Sequence, residues 1–182
     1  VAIVLPQLGE ACGTGIVPTT STTMTLALGD AMAIALMEHR QFTPENFRDF
    51  HPGGKLGAKL ARVRDLMHGG DAIPLVQTHT PMSDTLLIIS QKGFGVVGVT
   101  DTDGYLQGII TDGDLRRHMT GLLEMTAGQV MTPDPRSVTP DTLAAEAIGV
   151  MEGKITCLFV MNADKRPQGI LHIHDCLRAG VV

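Results

Sequence analysis

The sequence predicts an α/β chain in two unequal parts. A short helical stretch closes a larger α/β core, and behind it lies an α+β pair built from one β-α-β-β-α unit written twice. Three observations predict this. The order Met, extended segment, Thr-Pro, helix, strand, turn, strand, Asp-bearing helix runs once from Val63 and again from Ala127. Leu143, Ala147, Ile148 and Met151 fall at i, i+4, i+5 and i+8, one apolar helix face that must be buried on a sheet. The segment from Met24 to His39 is apolar on nearly every side, as an element enclosed by a larger α/β core is.

Composition narrows the class. A chain of 182 residues with 43% hydrophobic content can build one good core or two small ones. The net charge of −5 comes with no long basic run, so nothing supplies the stripe that neutralises phosphates, and no nucleic-acid partner is expected. Cys12, Cys157 and Cys176 show neither a C-x-x-C spacing nor an even count, and read as reduced thiols in a cytoplasm. The run from Met24 to Met37 is interrupted by Gly29-Asp30 and is too short for a bilayer, so no membrane partner is expected. Val1-Ala2-Ile3-Val4-Leu5-Pro6 has no charged n-region and reads as a strand entered midway, which makes the sequence read as the tail of a longer protein.

Along the chain, Pro18-Thr19-Thr20-Ser21-Thr22-Thr23 runs directly into the helix expected over Met24 to His39. A hydroxyl cluster there offers caps and an anion site at once, capping being the more ordinary role. Thr43-Pro44-Glu45 is an N-cap with Pro at the first helical position, predicting a short helix to Phe50. That helix delivers His51 onto Pro52-Gly53-Gly54, where backbone can approach a ligand closely and an imidazole suits acid–base work. A lone loop histidine more often has no catalytic role.

In the first copy, Val63 to Met67 leads to an extended Ile73 to Val76, and Thr80-Pro81 starts a helix that Gly93 ends. Val96 to Val99 and Tyr105 to Ile110 then form a hairpin across Asp101-Thr102-Asp103-Gly104. In the second, Ala127 to Met131 leads through Val138-Thr139-Pro140 to a helix ended by Gly153. Cys157 to Met161 and Gln168 to His172 flank Asn162-Ala163-Asp164-Lys165. Short helices, Asp112 to His118 and Ile173 to Arg178, close the copies, and two such units pack face to face about a pseudo-twofold axis.

Gly108-Ile109-Ile110-Thr111-Asp112-Gly113-Asp114-Leu115 and Gly169-Ile170-Leu171-His172-Ile173-His174-Asp175 resemble the two closing motifs of a CBS domain pair, with repeats at 63–122 and 123–182. The resemblance implies clefts between the copies that hold adenosine-type or other nucleotides. It puts the motif aspartate on ribose hydroxyls and a hydroxyl residue three positions earlier near phosphate. Thr111 and Asp114 are then the ligand candidates in the first copy and Asp175 in the second, while His172 stands where a hydroxyl belongs. The same Thr111-x-x-Asp114 spacing at a helix start is also a capping arrangement, and both roles can coexist. Arg116 and Arg117 can meet a phosphate or simply be solvated helix charges.

Glu10-Ala11-Cys12, the Pro18 to Thr23 cluster, Gly29-Asp30-Ala31 and His51-Pro52-Gly53-Gly54-Lys55-Leu56-Gly57 resemble the end of a sugar isomerase (SIS) domain, here spanning 1–62. With a CBS pair behind it, the whole chain is similar to the D-arabinose 5-phosphate isomerase family. That resemblance implies the tail of a SIS-type doubly wound domain. The implied activity interconverts D-ribulose 5-phosphate and D-arabinose 5-phosphate for the octulosonate sugar of lipopolysaccharide or capsule. Such chemistry needs ring opening by an acid–base group and proton shuttling through an enediol, with no cofactor. The family's glutamate falls on Glu10 and its histidine on His51; the resemblance assigns Glu10 to proton transfer at carbon and His51 to ring opening, with the reverse assignment also open. The family's lysine and a further glutamate lie upstream, so these residues alone should be inactive. A homo-oligomer is expected, in which the histidine can serve a neighbour's site.

The CBS cleft near Asp114 is then expected to bind a nucleotide or nucleotide-activated sugar and to shift isomerase activity, because only Lys55 to Arg62 separate it from the His51 segment. The competing reading is a non-catalytic SIS–CBS sugar-phosphate sensor or assembly module. No metal is expected: His172-x-His174, with histidines at 68, 79 and 118, offers imidazoles, but no cysteine or carboxylate spacing completes a tetrahedral set.

Overall fold

The computed structural model describes residues 2–50, 57, 58, 60–153 and 155–181. It forms two compact units, Val1–Phe50 and His51–Val182.

The first unit carries two helices, α1 (Thr20–His39) and α2 (Pro44–Phe50). Helix α2 begins where the Thr43-Pro44 signal puts it: the Thr43 hydroxyl accepts the Asn46 amide at 3.3 Å, and the Thr43 amide donates to Asn46 Oδ1 at 3.0 Å. Helix α1 starts four residues earlier than expected, so the hydroxyl cluster forms its first turn instead of preceding it. None of its residues is buried, and Leu26, Ile34 and Leu36 are all more than half exposed. Residues 2–10 form no strand, contrary to the expectation for Val1 to Leu5. A strand exists only against a partner ladder, and no strand of this unit is described. The doubly wound sheet that α1 would close is expected mostly upstream of this sequence, and no strand of it is described here.

The second unit opens with α3 (Val63–Leu66), β1 (His68–Gly69), β2 (Leu75–Gln77), α4 (Met82–Lys92), β3 (Val96–Thr100), β4 (Leu106–Thr111) and α5 (Asp112–Arg117). The sequence of elements repeats as α6 (Ala127–Val130), β5 (Thr132–Pro133), β6 (Ser137–Val138), α7 (Ala144–Met151), β7 (Cys157–Met161), β8 (Pro167–His172) and α8 (Ile173–Arg178). Each copy is thus the expected β-α-β-β-α unit with a short helix and a two-residue strand in front.

Those leading strands do not join their own copy. The sheets run β2-β3-β4-β5 and β1-β8-β7-β6, so each has three strands from one repeat and one from the other. Strand β1 pairs antiparallel with β8, His68 opposite Ile170 and Gly69 opposite Gly169. Strand β5 pairs with β4 in the same way, Gly108 opposite Pro133 and Ile109 opposite Thr132. Both crossings rely on a glycine in the receiving strand. A Cβ on Gly108 would lie 2.7 Å from the Thr132 carbonyl oxygen, and one on Gly169 2.7 Å from Met67 Sδ.

Two cores lie between sheet and helices and a third between the sheets. Val97, Val99, Ile110 and Met82 fill the first, and Leu158, Val160, Leu171 and Met151 the second. Val96, Phe159 and Ile170 join the sheets face to face. Burial on both faces explains why β3 and β7 read as almost unbroken apolar runs.

Several boundaries differ from expectation by a residue or two, three of them with a local cause. Tyr105 stays outside β4 because its amide donates to Asp101 Oδ1 at 2.9 Å within the hairpin turn, where Gly104 takes φ +85°. Leu143 is the N-cap of α7 and not part of its apolar face: it is held extended by bridging Arg62, and Ala144 takes the buried place. Helix α7 ends at Met151, one residue before the left-handed pair Glu152 and Gly153.

Candidate functional site

Three constellations carry polar chemistry. In the first unit, Glu10 is folded back onto the start of α1. One carboxylate oxygen accepts the Thr19 amide at 2.7 Å, the Thr19 hydroxyl at 3.1 Å and the Ser21 amide at 3.4 Å. Thr19 stands at the N-cap without using its side chain as a cap, so the helix N-terminus is served by this anion instead. The anion that meets the hydroxyl cluster here is the chain's own Glu10. The Ser21 hydroxyl and the Thr19 amide draw the Glu10 carboxyl down to about 2. A cavity of about 390 Å³ opens beside it, lined by Leu5, Leu8, Glu10, Ser21, Met24 and Thr25. Nearby, the Thr14 hydroxyl and the Val17 amide lower the Cys12 thiol below its ordinary value. His51, the other candidate of this site, lies outside the described residues.

The second constellation heads α5. Thr111 and Asp114 form a capping box: the Thr111 amide and hydroxyl donate to Asp114 Oδ2 at 2.8 and 2.6 Å. The other oxygen, Oδ1, accepts the Thr132 hydroxyl at 2.6 Å and a guanidinium N–H of Arg117. Asp114 is only 2% exposed. Burial pushes its carboxyl upward, but the Thr111 and Thr132 hydrogen bonds and the Arg117 charge outweigh it, leaving the group below the usual aspartate range. The capping role anticipated for Thr111-x-x-Asp114 is thus fully formed. A ligand hydroxyl reaching Asp114 has to displace Thr132 or Arg117.

A cavity of about 280 Å³ opens beside this helix start, between the repeats, with Gly95, Thr111 and Gly113 from one and Ile155, Thr156 and Cys157 from the other. Burial raises the Cys157 thiol to about 11, so it lines the cavity as a neutral apolar group. Sequence reading missed Thr132, Thr156 and Cys157. Each gains its place from the repeat opposite its motif, and no local pattern marks that.

The third constellation is the pseudo-symmetric counterpart at the head of α8. Here His172 takes over the N-cap, its Nδ1 accepting the His174 amide at 3.1 Å, which accounts for a histidine where a hydroxyl was expected. Asp175 Oδ2 meets His68 Nε2 at 2.9 Å, and Arg178 approaches Oδ1 at 3.6 Å. The rings of His172 and His174 lie 4.6 Å apart, and Phe94 is edge-on to His68 at 5.2 Å. Burial and the His174 charge lower the affinity of His172 for a proton. No set of three His, Cys, Asp or Glu among the described residues is arranged to hold a metal ion.

Two strand-exchanged repeats, each closed by a short helix with an aspartate in its first turn, are the architecture of a CBS domain pair, and the chain belongs to the CBS domain family, whose model matches residues 63–121 and 127–181. Among curated proteins, arabinose 5-phosphate isomerase KdsD of Pseudomonas aeruginosa is 48% identical over 178 residues, covering 95% of this chain and 55% of the relative. The Escherichia coli K12 protein of the same name is 46% identical over 178 residues, 95% of this chain and 54% of the relative. The chain therefore spans about half the length of the curated relatives it matches. Among solved structures, the CBS-pair protein CBSX2 from Arabidopsis thaliana superposes with TM-score 0.59 at 25% identity, covering 66% of this chain and 94% of that one. CBSX2 in complex with AMP gives TM-score 0.57 at 26% identity over 66% and 96% of the two chains. No helix among the described residues is long and apolar enough to cross a membrane.

Proposed function

We propose that this chain is the C-terminal part of a cytoplasmic, homo-oligomeric arabinose 5-phosphate isomerase. It would comprise the end of a SIS domain at 1–62 and CBS repeats at 63–122 and 123–182. The observation that carries the reading is 48% identity to a protein of that name over 95% of the chain, more than the CBS pair alone. The reaction interconverts D-ribulose 5-phosphate and D-arabinose 5-phosphate, in the supply of the octulosonate sugar. Glu10 moves the proton at carbon and His51 opens the ring, or the two exchange roles. A carboxylate held near 2 is a weak base. A substrate anion that takes over the Thr19 and Ser21 donors would release Glu10 and restore its basicity, so binding and activation of the base are one event.

The CBS pair is the sensing part. A nucleotide or nucleotide-sugar would sit in the cleft beside Thr111, with Thr111 as a polar contact, Asp114 reached only by displacing Thr132 or Arg117, and Asp175 serving the second cleft. The AMP complex of a fold relative supports that ligand class.

The test is isomerisation by the full-length protein carrying Glu10→Gln or His51→Ala, each expected to lose about a hundredfold or more in kcat. Thermal shift with AMP, CMP and their sugar conjugates, with Asp114→Asn alongside, tests the sensing part. A full-length protein that binds sugar phosphate without turning it over would favour the non-catalytic sensor. Absence of any nucleotide shift would leave the pair as an assembly module.

A further inference from the structure

The two oxygens of the buried Asp114 carboxylate are held differently. Oδ2 is closed by the capping box, both of its donors coming from Thr111. Oδ1 is held by the Thr132 hydroxyl and by Arg117, whose side chain is 62% exposed. The guanidinium crosses the first turn of α5 to get there, and its Nη1 lies 3.5 Å from where a Cβ on Gly113 would stand. Gly113 lines the cavity between the repeats, so Arg117 stands at the edge of that cavity without lining it. Among the described residues that do line it, Asp112 is the one charged group and no cation joins it. A phosphate entering there meets a like charge, and it finds the Arg117 cation already committed to Asp114.

We infer that Arg117 is the residue by which this cleft selects a phosphorylated ligand over its unphosphorylated form, through an exchange of partners. The inference rests on the reading that a nucleotide-like ligand reaches Asp114 by displacing a donor of Oδ1. A ligand hydroxyl that takes Oδ1 from Arg117 keeps the buried carboxylate satisfied. It also leaves the guanidinium, charged at every physiological pH, without its anion. A neutral ligand loses that ion pair outright. A ligand that carries a phosphate gives the released guanidinium a new anion, and the planar fork of arginine suits two phosphate oxygens at once. Displacing Thr132 instead has no such effect, since a hydroxyl has no charge to hand over. The second repeat has an arginine at the same offset, Arg178 three residues after Asp175, but at 3.6 Å it is beyond hydrogen-bond reach of that carboxylate. The exchange therefore belongs to the first cleft.

Calorimetric titration of the 182-residue chain with AMP, adenosine, CMP and cytidine tests this, in the unaltered protein, Arg117→Gln and Arg116→Gln. The unaltered chain should prefer a nucleotide to its nucleoside by about threefold to tenfold, the size of a charge-assisted contact that stays partly exposed. In Arg117→Gln the nucleoside should bind at least as tightly as before and the nucleotide more weakly, so that most of the preference disappears. Arg116→Gln should keep it. Nucleotide and nucleoside weakened in step by Arg117→Gln, or a preference that survives that change or follows Arg116, overturns the exchange and leaves the nucleotide reading standing. Failure of the unaltered chain to bind any of the four overturns both. Should Arg117→Gln not fold, the guanidinium nitrogen resonances of Arg117 in the unaltered protein decide. Adenosine should move them from their free positions as the ion pair opens, and AMP should move them to a third; resonances that adenosine leaves in place overturn the proposal.

Discussion

Thr132 and Asp114 belong to different repeats, yet the hydroxyl of the first donates to the buried carboxylate of the second at 2.6 Å. This is the bond through which strand β5 reports on the closing helix of the first repeat. Thr132→Val keeps the shape and removes the donor. It should lower stability by about 1 to 3 kcal/mol, the cost of depriving a buried charged acceptor of one partner, as read from the urea midpoint at constant m-value.

Asp114 also sets an acid limit on the fold. Its carboxyl lies below the ordinary aspartate range in the folded chain, so folding favours the ionised form. The sign follows: the stabilisation is complete above the unfolded value of about 3.9, and it is lost as pH falls through that value toward the depressed folded one. Stability of Asp114→Asn, measured across the same interval, should show a shallower acid decline.

Two glycines should respond in opposite directions to alanine. At Gly108 the new methyl would press on the Thr132 carbonyl and Met131 Sδ at 2.7 and 2.8 Å, driving β5 away from β4 at a cost of about 1 to 3 kcal/mol. Gly149 lies within α7 with open space around it, so Gly149→Ala should stabilise by about 0.5 to 1 kcal/mol. Thermal unfolding of the two variants separates a crowded backbone from a merely flexible one.

Glu10 should titrate near 2 in a carboxyl-resolved NMR experiment, and Ser21→Ala should move it up toward the ordinary glutamate range. The fold keeps its advantage above the unfolded value of about 4.3 and loses it as pH falls to the folded one. Glu10→Gln should weaken the start of α1, visible as lower helical signal in far-UV circular dichroism. An unchanged Glu10 midpoint in Ser21→Ala would show that the helix amides alone hold the carboxylate.

Much of the second unit was legible because its signals are local. Thr80-Pro81 and Gly93 bound α4, the Asp101 and Asn162 turns place both hairpins, and Thr111-x-x-Asp114 announces a cap that the structure builds atom for atom. Strand exchange was not legible. Strands β1 and β5 have two residues each, too few for a period, and their pairing is decided by glycines far away in sequence. The same distance hid Thr132 and His68, whose neighbours say nothing about the aspartates they meet. In the first unit the anion site at α1 was readable from its hydroxyls, but its occupant was not, since Glu10 reaches it by a loop with no regular period.

The crossing strands also govern the order in which the chain can be built. As the protein leaves the ribosome, β4 offers a bare sheet edge until residues 132–133 emerge, and β1 waits without a partner until β8 is made. The last contact of that wait, His68 with Asp175, closes a span of 107 residues. Neither repeat can therefore finish alone during synthesis, and the nascent chain passes through a stage with exposed strand edges, the period in which it is most open to misassociation with its neighbours.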